Sequence, residues 1–123
     1  MLQHASLEVP PDRVADCVAF WALLGFTPLD PPPKLRSRFT WVEREGTQIH
    51  LIPAEDPSAP AREGHVAVVA VGYEATLRAL RDAGFEPSEG QNAWDAPRSF
   101  VRDPAGHLVE VMSRPPHPPW PED

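Results

Sequence analysis

Three features of the sequence predict an α+β fold made of two copies of one β-α-β-β-β unit: an internal repeat, an alternation of strand and helix periodicities, and prolines gathered between elements. The repeat has an offset of about sixty residues, which sets His4 on His65, Gly25-Phe26 on Gly84-Phe85, Gly46 on Gly106 and His50 on Glu110. The 17 prolines fall mostly at Pro10-Pro11, Pro31–Pro33, Pro53 to Pro60 and Pro115 to Pro121. Proline lacks an amide donor and is poorly tolerated inside helices and central strands, so these groups mark boundaries.

Between the boundaries each element is readable. Met1–Val9 alternates, with Leu7 and Val9 on one face and His4, Ser6 and Glu8 on the other, as a half-buried strand does. Asp12–Leu24 turns helical, with Val14, Cys17, Val18, Trp21 and Leu24 on one face, Asp12 as the expected N-cap and Gly25 as the C-cap. Arg38–Glu43 and Thr47–Ile52 read as strands joined by a tight turn at Glu45-Gly46. The second half repeats the order. His65–Val71 is a β-branched strand, Glu74–Ala83 a helix carrying Leu77 and Leu80, and Gly84 its stop. A short strand near Phe85, a loop from Pro87 to Pro97, a strand at Ser99–Arg102, a turn at Asp103–Gly106 and a last strand at His107–Met112 complete it.

The expected organisation is a single domain over residues 1–113, with modules at about 1–54 and 63–113 and a Pro-rich tail at 114–123. A chain of 123 residues is one domain's worth, and each module alone is too small to bury its sheet and helix well. Eleven Lys+Arg against 18 Asp+Glu give a net charge of -7 with no basic cluster, which argues against nucleic acid or an anionic membrane as the main partner. A small-molecule substrate is the expected partner. Cys17 is the single cysteine, so no internal disulfide is available, and it reads as packing on the apolar helix face. Met1–Pro11 has no basic segment followed by an apolar run of signal-peptide type, and Val66–Val71 is far shorter than the roughly 20 residues of a membrane-spanning helix. A cytoplasmic location is the expectation.

The repeat superimposes residues with ligand chemistry. In each unit the first and last strands carry one such side chain: His4 and His50 in the first, His65 and Glu110 in the second. Strand parity sets His4 opposite Ala5, Leu7 and Val9, His50 opposite Ile49 and Leu51, His65 opposite Val66 and Val68, and Glu110 opposite Val109 and Val111. With helices covering the apolar faces, all four point to the other side of the sheets. Three imidazoles and a carboxylate suit one divalent metal, Zn, Ni, Co, Mn or Fe(II), without naming which. By the same parity His107 should point away from Glu110, and His117 lies in the tail.

The sequence also resembles the vicinal oxygen chelate superfamily of glyoxalase, bleomycin resistance and extradiol dioxygenase proteins. The resemblance is carried by Leu2-Gln3-His4, Phe20-Trp21-Ala22-Leu23-Leu24-Gly25-Phe26, Gln48-Ile49-His50-Leu51, Gly64-His65-Val66-Ala67-Val68 and, most specifically, Asp103-Pro104-Ala105-Gly106-His107-Leu108-Val109-Glu110-Val111. It implies two pseudo-twofold-related βαβββ modules forming a cupped mixed sheet with the helices on its outer face, a homodimer, and one divalent metal in the cup. Its metal positions fall on His4, His50, His65 and Glu110. Glyoxalase I generally has a carboxylate where this chain has His50, and extradiol dioxygenases use two histidines and one glutamate.

The chemistry the resemblance implies is metal-assisted stabilisation of an enediolate formed from a substrate with two neighbouring oxygens. Glu110 is the expected base and His50 the second candidate. A metal-dependent lyase or isomerase of glyoxalase type is the first reading; an Fe(II) extradiol-type dioxygenase and a non-catalytic drug-binding protein of bleomycin-binding type are the alternatives. Phe39, Trp41, Trp94 and Phe100 are candidates to line an apolar substrate pocket, and Arg98, with Arg38 and Arg102, to anchor an anionic substrate.

Overall fold

The computed structural model describes residues 1–122, so Asp123, the last residue of the expected tail, lies outside the described residues. The chain divides into two compact units, Met1–Pro60 with Pro104–His107, and Ala61–Asp103 with Leu108–Asp123. Each has one helix and one four-stranded sheet.

Unit 1 runs β1 (His4–Val9), a 3-10 turn (Pro11–Arg13), α1 (Val14–Leu23), β2 (Thr27–Leu29), β3 (Thr40–Arg44) and β4 (Thr47–Pro53). Its sheet order is β1-β4-β3-β2, with β1 parallel to β4 and the other pairs antiparallel. The parallel register sets Ala5 beside Ile49 and Leu7 beside Leu51. One sheet face is therefore apolar and meets the helix, where Val9, Cys17, Phe20, Trp21, Val42, Ile49 and Leu51 are buried. Trp21 sits edge-on to Phe20 and Phe26, at centroid distances of 5.5 and 5.2 Å. The helix stops as its sequence predicts. Gly25 takes φ +90°, a left-handed value that costs glycine nothing, and the Phe26 amide donates back to the Trp21 carbonyl at 3.0 Å.

Unit 2 repeats the order with β5 (Val66–Val69), α2 (Tyr73–Asp82), β6 (Ser88–Glu89), β7 (Arg98–Arg102) and β8 (Leu108–Met112). Its sheet order, β5-β8-β7-β6, matches that of unit 1 strand for strand, again with the first and last strands parallel. Leu77 and Leu80 of α2 and Val101, Val109, Val111 and Met112 of the sheet are buried.

The structure corrects the sequence reading at a few places. Asp12 caps nothing: it lies within the 3-10 turn, and no side chain caps α1, which begins at Val14 after Arg13. Thr27–Leu29, not foreseen as a strand, pairs with β3 at the sheet edge, where Pro28 can sit without breaking a central ladder. The strand expected near Phe85 forms three residues later, at Ser88–Glu89.

Candidate functional site

The predicted ligand residues fall two and two between the units. In unit 1, His4 begins β1 and His50 lies in the middle of β4, both on the face opposite buried Ile49 and Leu51. Trp41 of β3 is the cross-strand partner of His50. The three rings form a ladder: Trp41 stacks on His50 at 4.0 Å and 3°, and His50 stacks on His4 at 4.0 Å and 13°. The ring ends are tied locally, His4 Nδ1 to Gln3 Oε1 and His50 Nε2–H to Gln48 Oε1 at 2.8 Å. The ladder forms one wall of a cavity of about 260 Å³, completed by Ser6, Leu35, Phe39 and Ile52. Phe39 and Trp41 both line this cavity. Leu35 is a residue the sequence reading passed over, because it sits in the irregular segment after Pro31–Pro33, where no periodicity assigns a face.

Burial first and neighbouring His4 second lower the pKa of His50 below its ordinary value of 6.5. The folded protein therefore takes up this proton less readily than the unfolded chain does. The His50 contribution leaves stability undiminished above pH 6.5 and diminishes it as pH falls from 6.5 towards the lowered folded value. Urea unfolding at pH 7, 6 and 5 should show falling stability, with a shallower fall in His50→Gln; identical slopes in the two proteins would remove His50 as a cause.

In unit 2, His65 directly precedes β5 and Glu110 is central in β8, its side chain only 6% exposed. A carbonyl oxygen can only accept, so the 2.7 Å contact between His65 Nδ1 and the Glu63 carbonyl fixes the proton on Nδ1. The other ring nitrogen, Nε2, faces Glu110 Oε1 at 3.0 Å. Arg98, from the neighbouring strand β7, donates from Nη1 to Glu110 Oε2 at 3.3 Å and from Nε to the Gln91 carbonyl at 3.0 Å. Its guanidinium lies against the rings of Trp94 and Phe100, 4.8 and 5.2 Å from their centroids. Phe100 is the cross-strand partner of Glu110 and meets the His65 ring edge-on at 5.3 Å. The structure thus brings Trp94, Arg98 and Phe100 together around His65 and Glu110.

The remaining candidates lie elsewhere. His107, just before β8, donates from Nε2 to the Glu8 carbonyl at 2.7 Å. Arg102 spends Nη1 and Nη2 on the carbonyls of Ala61 and Arg62, Arg38 lies exposed over the Phe39 ring, and Cys17 is buried. Among the described residues, no three His, Cys, Asp or Glu side chains are gathered closely enough to hold a metal ion. No helix among them is long and apolar enough to cross a membrane.

The paired modules agree with a family comparison. The model of the Glyoxalase/Bleomycin resistance protein/Dioxygenase superfamily matches residues 2–111, and the chain belongs to that superfamily. No curated protein matches the sequence. Among solved structures, a protein described as glyoxalase family from Bacillus anthracis is similar at 23% identity and a TM-score of 0.80, over 91% of this chain and 93% of that one. A glyoxalase/dioxygenase from Nostoc punctiforme is similar at 18% identity and a TM-score of 0.75, over 94% of this chain and 91% of its own. The oxidase ChaP-H2 is similar at 20% identity and a TM-score of 0.71, over 94% of each chain. These likenesses establish the fold.

Proposed function

We propose that the chain is a divalent-metal-dependent lyase or isomerase of glyoxalase type, acting on a small substrate with two neighbouring oxygens. The observation that supports it is the fixed tautomer of His65. With Nδ1–H donated to the Glu63 carbonyl, Nε2 is the ring nitrogen turned to Glu110 Oε1, 3.0 Å away, where a metal ion would take the place of a proton shared by the pair. Two donors bound at about 2.1 Å to one ion at a right angle are about 3 Å apart, so this pair fits a divalent metal in donor type and in spacing. His4 and His50 fit less directly. A ring nitrogen binds a metal along its own plane, and two planes stacked 13° apart do not converge on one ion, so their part as ligands rests on the resemblance.

A bound divalent metal supplies Lewis-acid polarisation of neighbouring substrate oxygens. The protein supplies the proton acceptors. Glu110 is assigned as the base: Arg98 holds its Oε2, and Oε1, the oxygen facing His65, would take a proton when it is released as a metal ligand. His50 is the second acceptor. Its Nε2 proton is donated to Gln48, so the basic lone pair lies on Nδ1, and its lowered pKa keeps the ring neutral at pH 7. Unit 1 has its own apolar cavity, beside Phe39 and Trp41 and next to His50. A second reading, an Fe(II) extradiol-type dioxygenase, draws on the neighbours described as a glyoxalase/dioxygenase and an oxidase.

Elemental analysis tests the proposal. The protein is stripped and reloaded separately with Zn, Ni, Co, Mn and, anaerobically, Fe(II). Retention of about one ion per chain is the expected result. Retention of Fe(II) alone with oxygen consumption would favour the dioxygenase. No uptake of any ion would overturn both readings and leave a drug-binding protein of bleomycin-binding type.

A further inference from the structure

We propose that Arg98 selects the substrate by charge: the molecule handled at the unit 2 cluster is a small carboxylate whose carboxylate group pairs with Arg98 Nη2 while its apolar body lies against Phe100. The inference rests on the reading of His65 and Glu110 as the reacting groups and adds the class of substrate they act on.

Of the three arginines the sequence offers for an anion, Arg102 is spent on two backbone carbonyls and Arg38 is exposed. Arg98 differs from both. Its side chain is 17% exposed and fixed at three points, by Nε on the Gln91 carbonyl, by Nη1 on Glu110 and by the two aromatic rings beside the guanidinium. Nη2 makes no hydrogen bond or ion pair among the described residues. A guanidinium has five donors in one plane and no acceptor. Here the plane is already oriented, so an arriving carboxylate meets donors that lose little further freedom on binding.

Charge favours the same class. The chain carries a net charge of -7, and an acidic surface repels anions in general. That repulsion is screened beyond about 8 Å at physiological ionic strength, so a local cation decides whether an anion is held. In this cluster Glu110 is the one carboxylate in contact with Arg98 and His65, and it is balanced by Arg98. A divalent ion on the His65–Glu110 pair would leave two positive charges in excess, which an anionic substrate offsets. The aromatic rings set the remainder: Trp94 and Phe100 present apolar surface beside the guanidinium, suited to an unsaturated or ring-bearing carbon body.

The test uses metal-stripped full-length protein, so that a carboxylate cannot bind through an ion, and reads amide and indole chemical shifts on titration. The probes are benzoate and its uncharged analogue benzyl alcohol. Benzoate should saturate and bind at least roughly tenfold more tightly than benzyl alcohol, the ratio expected of one hydrogen-bonded charge contact. Arg98→Gln, which removes the charge, should weaken benzoate by about the same factor and leave benzyl alcohol unchanged. Equal binding of the two probes by the unaltered protein would overturn the proposal without recourse to a variant, as would benzoate affinity that survives Arg98→Gln. Loss of the metal reading shows separately, as failure to take up any ion in a protein that still prefers benzoate.

Discussion

Alanine at both His65 and Glu110 should take the bound divalent ion from about one per chain to less than about a tenth of that, with the far-UV CD spectrum keeping its α+β form. Both groups stand at strand positions whose neighbours fix them: His65 by the Glu63 carbonyl, Glu110 by its place in β8 between buried Val109 and Val111. Removing them deletes the imidazole–carboxylate pair whose Nε2 and Oε1 stand 3.0 Å apart. The fold should survive, because the core of unit 2 is made by Leu77, Leu80, Val101, Val109 and Val111, none of which is touched. A modest loss of stability is expected all the same. Arg98 Nη1 loses its carboxylate, at a cost of about 1–3 kcal/mol, reduced by the water that reaches its side chain. Glu110→Gln separates the two effects: it keeps the shape and an acceptor oxygen and loses the charge that a metal needs. Stoichiometric metal in the double variant would remove the assignment of these residues.

Trp21→Ala should cost about 3–5 kcal/mol, read as a drop in urea midpoint at unchanged slope. Trp21 is the largest fully buried side chain, and it bridges Phe20 and Phe26 by edge-on contacts. Alanine would leave a void that the rest of α1 cannot fill, because the helix end is set by the turn at Gly25. Trp21→Phe should cost much less. The indole Nε1 is buried with no partner, so the tryptophan already carries an unpaid desolvation penalty that phenylalanine does not. A loss below about 1 kcal/mol for Trp21→Ala would show that the site collapses, contrary to this account.

Much of this architecture is legible in the sequence because its signals are local. Gly25 and Gly84 end helices in both halves, and both adopt positive φ. Glu45-Gly46 supplies two residues of positive φ, 50° and 87°, which a two-residue hairpin turn demands. What local pattern cannot carry is register. The stacking of His50 on Trp41 and the approach of Arg98 to Glu110 depend on which residues of adjacent strands stand side by side, and neither composition nor spacing along one strand states it. Thr27–Leu29 was hidden for a different reason: three residues with a central proline have no period, and only the partner strand makes them a strand. Parity did predict the face of His50, since the residues on either side of it are buried. It did not reveal that Glu63 would orient His65, because that contact uses a backbone oxygen, which every residue has.

The bond from His107 to the Glu8 carbonyl joins residues 99 apart in sequence, and Pro104–His107 belong to unit 1 although they follow most of unit 2. The two repeats, alike in strand order, therefore differ in when each can finish forming. During synthesis from the N-terminus, β1 and β4 can pair once residues up to Pro53 have emerged, a closure that already spans 44 positions between His4 and Gln48. The last contact of unit 1 must wait until residue 107 has emerged, by which time β5, α2, β6 and β7 have all emerged too. The N-terminal half thus begins to fold first and is completed among the last parts of the chain.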